Sequence, residues 1–248
     1  MDVPADFKLS DKQRAQVDMA QQQKITINRE AIKGILDQLE WPLYFLDYET
    51  FAYVKPPQAG HRPYQQMMFQ YSLHVLDGPG EPIQHYEYLL RERTEPVENL
   101  VLSLRKNIKE TGGTVIVWNE SFEKGRNKEL AALLPHHADF LHSVNDRVYD
   151  LMTIFRQGLY LHPGFKGSNS IKDVLPVLCP ELNYKDLEVV QCGTDAVVQW
   201  HHMTDGRMEA GARAATHEAL LRYCELDTWA MVRIWEELRE DVKNKHDL

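Results

Sequence analysis

The sequence has few cysteines, and their spacing does not suit a thiol metal site. Only three of the 248 residues are cysteines: Cys179, Cys192 and Cys224. They form no C-x-x-C pair, so a zinc site built from thiols is not indicated. Three widely spaced cysteines are typical of reduced thiols, which behave in proteins as small buried apolar groups.

Long apolar runs are also absent. No stretch approaches the roughly 18 apolar residues that a membrane-spanning helix requires. The N-terminal residues 1–6 carry neither a basic start nor an apolar segment, so a secretory signal is not indicated. With 43% apolar and 26% charged residues the composition is that of an ordinary globular protein. We therefore expect a cytoplasmic protein without a membrane partner.

Positive charge is scarce. The net charge is −9, which argues against a protein that coats nucleic acid through a broad basic face. A nuclease with a small pocket neutralised by metal ions remains compatible with this charge, because bound cations are often the largest local charges in such a site.

The eleven histidines lack the spacing of common zinc motifs. Two of the pairs, His136-His137 and His201-His202, are adjacent in sequence, so their side chains diverge. No H-E-x-x-H spacing is present. The histidines are accordingly interpreted as surface or capping residues.

The order of elements predicts an α/β protein with a mixed sheet flanked by helices. Residues 1–40 are polar and indicate helices or a linker, with Ser10 and Asn28 as helix caps. Residues 41–248 form the main domain. The expected strands are 43–46, 69–76, 83–90, 114–118 and 148–151, with a turn at 77–80. The expected helices are 96–109, 122–134, 171–178 and 209–242, and Ser170 is a candidate cap.

Acidic residues follow the first predicted strand. Asp47 and Glu49 are two positions apart, so in an extended strand their side chains point to the same side. The carboxyl ends of strands are where sites gather in α/β sheets. A single D-x-E pair is common on surface strands, but a buried strand rarely ends in two acids. The loop between Phe51 and Tyr64 either stacks a terminal base through its aromatic residues or is a surface crossover.

Two further segments carry candidate site residues. Asn119 is positioned to cap the helix that follows it, which places Glu123 in the first turn. Lys124 either contacts phosphates or belongs to a solvated basic face. Tyr223 and Asp227 are four apart and share one side of a helix. For Asp227 the sequence leaves two interpretations, a metal ligand or an ion pair with an arginine. For Tyr223 the alternatives are a residue that orients water or a core aromatic with a solvated hydroxyl.

We expect Asp47, Glu49, Glu123 and Asp227 to converge on one point. Converging carboxylates cannot all remain ionised unless cations neutralise them. Hard cations that prefer oxygen, Mg²⁺ or Mn²⁺, are the natural choice. Two such ions are typical of phosphodiester hydrolysis.

In this order the motifs D-x-E, N-x-x-F-E and Y-x-x-x-D resemble those of the DEDD superfamily of 3′-to-5′ exonucleases, and Tyr223 points to its tyrosine branch. The stretch 168–175 resembles the helix that these enzymes carry between their second and third motifs. Segments 44–51 and 62–66 are closer still to a family of bacterial proteins in which this domain is C-terminal and sometimes follows another nuclease region. The resemblance covers about residues 42–240 and implies an RNase H-like fold with a five-stranded sheet.

The resemblance also implies roles for individual residues. Asp47 would bridge both metal ions, Glu49 and Asp227 would hold the ion that activates water, and Glu123 would serve the second ion. Tyr223 would orient the nucleophile. The substrate is expected near four further residues: Thr50, Phe51, Asn119 and Lys124. The superfamily usually has Asp where this chain has Glu123, and Asp150 is a candidate further acid.

The sequence therefore predicts a metal-dependent 3′-to-5′ exonuclease acting on single-stranded DNA or RNA. The alternative is a catalytically silent module that binds nucleic acid or protein on the same fold. A third interpretation is an accessory domain of a longer protein whose activity belongs to an N-terminal nuclease region. The choice between DNA and RNA, the physiological role and the oligomeric state are not determined by the sequence.

Overall fold

The computed structural model describes residues 3–4, 6–56 and 62–243. The strands are β1 (Thr26–Ile27), β2 (Leu43–Ala52), β3 (Gln66–Leu76), β4 (Gln84–Leu89), β5 (Thr114–Val117), β6 (Val148–Asp150) and β7 (Tyr160–Leu161). The α-helices are α1 (Asp11–Gln22), α2 (Arg29–Leu36), α3 (Val97–Asn107), α4 (Glu120–Leu133), α5 (Ala138–Asp146), α6 (Met152–Arg156), α7 (Ile171–Leu178), α8 (Gly193–Thr204) and α9 (Ala210–Lys243). Single-turn 3-10 helices lie at Pro135–His137, Pro163–Phe165 and Tyr184–Asp186.

Five strands form one mixed sheet in the order β4-β3-β2-β5-β6. β2 lies at its centre, antiparallel to β3 and parallel to β5. β3 and β4 are an antiparallel hairpin, and β5 and β6 are parallel. β1 and β7 form a separate two-stranded sheet. The RNase H-like α/β class expected from the sequence, a mixed five-stranded sheet flanked by helices, is confirmed.

Each face of the sheet is covered by a hydrophobic core. One core lies between the sheet and the long helix α9 and contains Phe45, Phe69 and Trp200. The other lies beneath α3, α4 and α5 and contains Leu104 and Leu141. Because successive side chains of a strand point to opposite faces, β2 contributes to both cores. Its odd-numbered residues from 43 to 49 face α9, so the two acids of this strand are carried to that side.

Most expected elements are present, with shifted boundaries. Ser10 and Gln13 form the capping box of α1, and Asn28 accepts a hydrogen bond from the backbone N–H of Ala31 at 3.1 Å. Ser170 caps α7 by accepting from the N–H of Lys172 at 3.3 Å. Helices α5, α6 and α8 and the β1–β7 pair were not anticipated.

The first strand of the sheet is longer than expected. We expected it to end near Asp47, but β2 continues to Ala52, with a register irregularity against β3 between Glu49 and Thr50. The reason is that β3 supplies hydrogen-bonding partners along this whole length, as far as Gln66. The two acids therefore lie inside a paired strand and not at its free end.

Part of the segment before residue 41 packs on the rest of the protein. α2 contacts α9, and Ile32 is fully buried in the core beneath it. β1 pairs with β7, with Thr26 opposite Leu161. Across the described residues no helix is long and apolar enough to cross a membrane.

Candidate metal centre

Three carboxylates meet where α9 crosses β2. One oxygen from each of Asp47, Glu49 and Asp227 can be chosen so that all lie within 4.8 Å of one another. α9 is held against the strand here by its apolar residues, and the Sγ of Cys224 donates to Oδ2 of Asp47 at 3.8 Å. The three acids that the sequence analysis grouped from distant segments are thus brought together by the fold.

The fourth predicted acid, Glu123, is carried by a different helix, α4. Glu123 lies in the first turn of α4, and its side chain is only 3% exposed. Its charge raises the pKa of Asp47, but the group of carboxylate oxygens within 4.8 Å of one another comprises Asp47, Glu49 and Asp227 and does not include Glu123. Asp150, at the end of β6, acts on Glu123 in turn, and its Oδ2 lies 3.3 Å from the guanidinium of Arg156.

Burial raises the pKa of every acid in the centre, and neighbouring carboxylates raise it further at Asp47, Glu49 and Glu123. Burial, followed by repulsion from Asp227, Glu49 and Glu123, raises the pKa of Asp47 well above its usual range. Burial and Asp227 raise the pKa of Glu49 to about 8. Burial is also the main cause that raises the pKa of Glu123 to about 8 and that of Asp227 to about 6.

A lysine ammonium lies beside two of these acids, Glu49 and Asp227. The ammonium of Lys172, in α7, donates to the hydroxyl of Tyr223 at 3.1 Å and to the carbonyl of Gln191 at 3.0 Å. Its positive charge lowers the pKa of both Glu49 and Asp227, which partly offsets the effect of burial. The carboxylates nevertheless outnumber this lysine, so the centre keeps an excess of negative charge when they are ionised.

Two tyrosines line the side of the centre formed by α9. The hydroxyl of Tyr184 donates to Oδ1 of Asp227 at 2.7 Å. The rings of Tyr184 and Tyr223 lie edge to face with centroids 6.2 Å apart, and the ammonium of Lys172 lies 5.1 Å from each centroid. The Tyr223 hydroxyl therefore lies beside the acids and accepts a hydrogen bond from the ammonium of Lys172.

The residues present suit hard divalent cations. All four acids offer oxygen ligands, which Mg²⁺ and Mn²⁺ prefer. Oε2 of Glu123 is buried and has no hydrogen-bond partner among the residues that the structure describes. A buried acceptor without a partner is costly, and a bound cation would remove that cost. This oxygen and the raised pKa values fit a metal centre better than a set of structural salt bridges.

The residues expected to contact substrate lie in different settings. The hydroxyl of Thr50 donates to Oε1 of Gln66 at 2.7 Å within the sheet. Lys124 forms an ion pair with Glu120 at 2.7 Å, one helical turn away. Asn119 is exposed and precedes α4, but its side chain does not cap the helix as we expected. It accepts from the hydroxyl of Ser121 instead, at 2.7 Å.

The position of Phe51 contradicts the expectation that this residue contacts the substrate by stacking on a base. Its ring stacks on Trp200 with centroids 4.6 Å apart and is 5% exposed. A base cannot stack on a ring whose face is already covered, so the suggestion of base stacking does not hold for this residue. Tyr64, at the far side of the loop, is 68% exposed, and residues 57–61 between them lie outside the described residues.

Sequence reasoning missed two residues of the centre, Lys172 and Tyr184. Lys172 lies within the stretch 168–175 that resembled a superfamily helix, but nothing in its local sequence indicated that its ammonium would reach Tyr223. Tyr184 begins the single-turn 3-10 helix between α7 and α8. In the sequence, Lys172 is only a polar residue and Tyr184 only an aromatic residue between two motifs. Such residues are too common for either position to be identified as part of a site.

Comparison with known proteins gives a family. Residues 44–170 match the family model described as a domain of unknown function, DUF2779. No curated protein and no solved structure matches the chain. The matched segment contains Asp47, Glu49 and Glu123 and ends before Lys172 and α9. Because it spans half of the 248 residues, the chain belongs to the DUF2779 family.

Proposed function

We propose that the protein is a metal-dependent exonuclease that hydrolyses phosphodiester bonds from the 3′ end of single-stranded DNA or RNA. The observation that carries this proposal is the convergence of Asp47, Glu49 and Asp227 from β2 and α9, together with the effect of the Glu123 charge on Asp47. Acids raised in pKa by burial and by one another are typical of functional sites.

The acids divide naturally between two ions. Asp47, whose pKa is raised by the charges of the other three, would serve both ions. Glu49 and Asp227 would complete the site of one ion, and Glu123 would serve the other. Two divalent ions held there would activate a water molecule and stabilise the attacking and leaving oxygens of an in-line displacement.

The protein's own residues would orient the reacting groups. Tyr223 shares one side of α9 with Asp227, and its hydroxyl is held by the ammonium of Lys172 at 3.1 Å. The same hydroxyl also interacts with Asp227 through a hydrogen bond that lowers the pKa of that acid. Held from both sides, the Tyr223 oxygen would help to position the attacking water molecule. Lys172 also gives the centre a local positive charge toward which a phosphate is attracted, although the whole chain carries −9.

Degradation of a labelled strand tests the proposal. The wild type with Mn²⁺ should shorten a 5′-labelled single strand from its 3′ end, leaving a ladder and releasing mononucleotides. Asp227→Ala should lose nearly all of this activity because it removes a metal ligand. Glu218→Ala is a matched control, since this acid lies on the same helix with its side chain 63% exposed.

The other outcomes are equally informative. Binding of DNA and RNA without cleavage, across several metal ions, would favour the catalytically silent module. Cleavage that survives Asp227→Ala would contradict the site and indicate a contaminant or a different centre.

A further inference from the structure

A second group of potential metal ligands lies on the same face of the sheet. His74 of β3 and His85 of β4 are directly opposite each other in the hairpin, and Glu225 of α9 lies over them. One ligand atom from each of the three residues can be chosen so that all lie within 4.8 Å of one another. The residues come from three elements, so their convergence is a product of the fold.

Hydroxyl groups fix one nitrogen of each imidazole. Nδ1 of His74 is hydrogen-bonded to the hydroxyl of Thr228 at 2.8 Å, and Nε2 of His85 to the hydroxyl of Ser72 at 2.9 Å. The two hydroxyls are themselves 2.7 Å apart. Histidines that bind metals usually use one nitrogen for the ion and the other for such a partner, which sets the ring orientation.

The remaining nitrogen of His85 faces the acid. Its Nδ1 lies 3.7 Å from Oε1 of Glu225. Two ligand atoms on a tetrahedral zinc ion are expected about 3.3 Å apart, given bond lengths of about 2.0 to 2.1 Å. The observed separation is therefore close to what one ion between them would require.

Charge and space also favour a cation here. Glu87 lies two residues from His85 on β4, and its charge interacts with that of Glu225. The group borders a cavity of about 510 Å³, which is also lined by Trp229 and Arg222. The cavity leaves room for a water molecule as a fourth ligand. It also leaves room for ring movement, which matters because the two imidazoles now stack with centroids 4.4 Å apart.

We propose that His74, His85 and Glu225 bind a zinc ion that ties α9 to the β3–β4 hairpin. Two imidazoles and a carboxylate are a ligand set that zinc accepts, with water in the open position. The carboxylate centre offers oxygen atoms alone, so the two sites should differ in metal preference. One imidazole must turn about its side-chain bonds to bring both rings onto the same ion.

Zinc titration of metal-free protein tests this site. In competition with a chromophoric chelator, the wild type should bind zinc at this site, and His85→Gln should weaken that binding by at least about a hundredfold, since loss of even a supporting hydrogen bond costs about ten- to a hundredfold. His202→Gln removes an exposed histidine elsewhere and should bind zinc as the wild type does. Asp47→Asn should also keep this binding, because it alters only the carboxylate centre.

A second variant distinguishes the loss of a metal ligand from misfolding of the protein. Glu225 is 47% exposed, so Glu225→Gln removes a ligand without disturbing the packing of the two rings. It should lose zinc binding while keeping its melting temperature in the absence of metal. Zinc binding that persists in both His85→Gln and Glu225→Gln, or that disappears in Asp47→Asn, would overturn the proposal.

Discussion

The carboxylate centre and the histidine group both lie between α9 and the same face of the sheet, but they differ in how their buried polar groups are paired. Asp47, Glu49 and Asp227 bring like charges together, and a buried oxygen of Glu123 has no partner among the described residues. In the histidine group the buried polar atoms are connected, since Thr228 bonds both Ser72 and His74. The first region therefore carries an electrostatic cost that a bound cation would remove, whereas in the second the hydroxyls and one nitrogen of each imidazole are paired within the protein.

The pKa directions express the same contrast. Burial and mutual repulsion raise the pKa of the acids, so their neutral, protonated forms are favoured. Burial lowers the pKa of His74 to about 3, so its neutral form is favoured as well. Both regions avoid uncompensated charge, but only the acids must give up protons at neutral pH to bind a metal.

The largest effect is expected when the bridging acid is replaced. Asp47→Asn should abolish strand degradation almost completely and remove the rise in melting temperature that Mn²⁺ gives the wild type, since a ligand that binds only the folded state stabilises it. In metal-free protein the same change should raise the melting temperature by relieving repulsion. Calorimetry with and without Mn²⁺ checks this, and an unchanged response to the metal would rule out the site.

The next effect concerns the hydroxyl beside the acids. Tyr223→Phe should reduce the cleavage rate by about tenfold to a thousandfold, as expected for one positioned polar group. If Lys172 acts through that hydroxyl, the double variant Lys172→Met/Tyr223→Phe should lose little more activity than Tyr223→Phe loses alone. Single-turnover rates of the four proteins give this comparison, and independent, additive losses would separate the two roles.

Replacing Thr228 should affect the histidine group in the opposite sense to Asp47→Asn. Thr228→Val keeps the shape of a fully buried side chain but removes the hydrogen-bond partner of Nδ1 of His74 and one of the two partners of the Ser72 hydroxyl. We expect a loss of about 1 to 3 kcal/mol in the free energy of unfolding of metal-free protein. Urea denaturation measures it, and a gain in stability would show that the two regions do not differ as described.

The carboxylate centre and the histidine group should also differ in how they make the free energy of unfolding depend on pH. The folded pKa of Glu49 is about 8 and an unfolded glutamate has about 4.3, so the folded state holds protons that the unfolded state has lost between these values. Stability of metal-free protein should then fall as pH rises from 6.5 to 8. Glu49→Gln should flatten that slope, and an equally steep slope in this variant would contradict the assignment.

For His74 the sign is reversed. Its folded pKa of about 3 lies below the unfolded value of about 6.5, so the unfolded state binds the proton first. This contribution to stability is present at pH 7 and is lost as pH falls below about 6.5. Urea midpoints of His74→Gln should decline less steeply toward acid pH than those of the wild type.

The smallest effect is expected at the second-motif acid. Glu123→Asp shortens the side chain by one methylene but keeps the carboxylate, so activity should be kept or raised. Strand degradation at matched Mn²⁺ concentrations measures this, with Glu123→Gln as the variant that keeps length and removes charge. Complete loss in Glu123→Asp would mean that the longer side chain is required by the position of α4.

Local sequence determined much of the architecture. Capping at Ser10 and Asn28, the turn at 77–80 and the alternation along β2 each depend on neighbouring residues, and each was predicted correctly. Three of the four predicted acids, Asp47, Glu49 and Asp227, meet as expected. They were accessible to sequence reasoning because carboxylates beside a buried strand or a packed helix side are unusual. The boundaries of β2 were less accessible, since pairing with β3 extends the strand beyond what its own residues indicate.

Tertiary structure alone decided which side chains meet. The rotation of α9 over the sheet places Cys224 on Asp47 and Thr228 on Ser72, pairs separated by more than 150 positions in the chain. Hairpin register places His74 opposite His85, and a slip of one residue would turn the side chains to the other face. Such contacts depend on packing geometry between distant elements, for which local propensity carries no information, and so the histidine group became visible only in the fold.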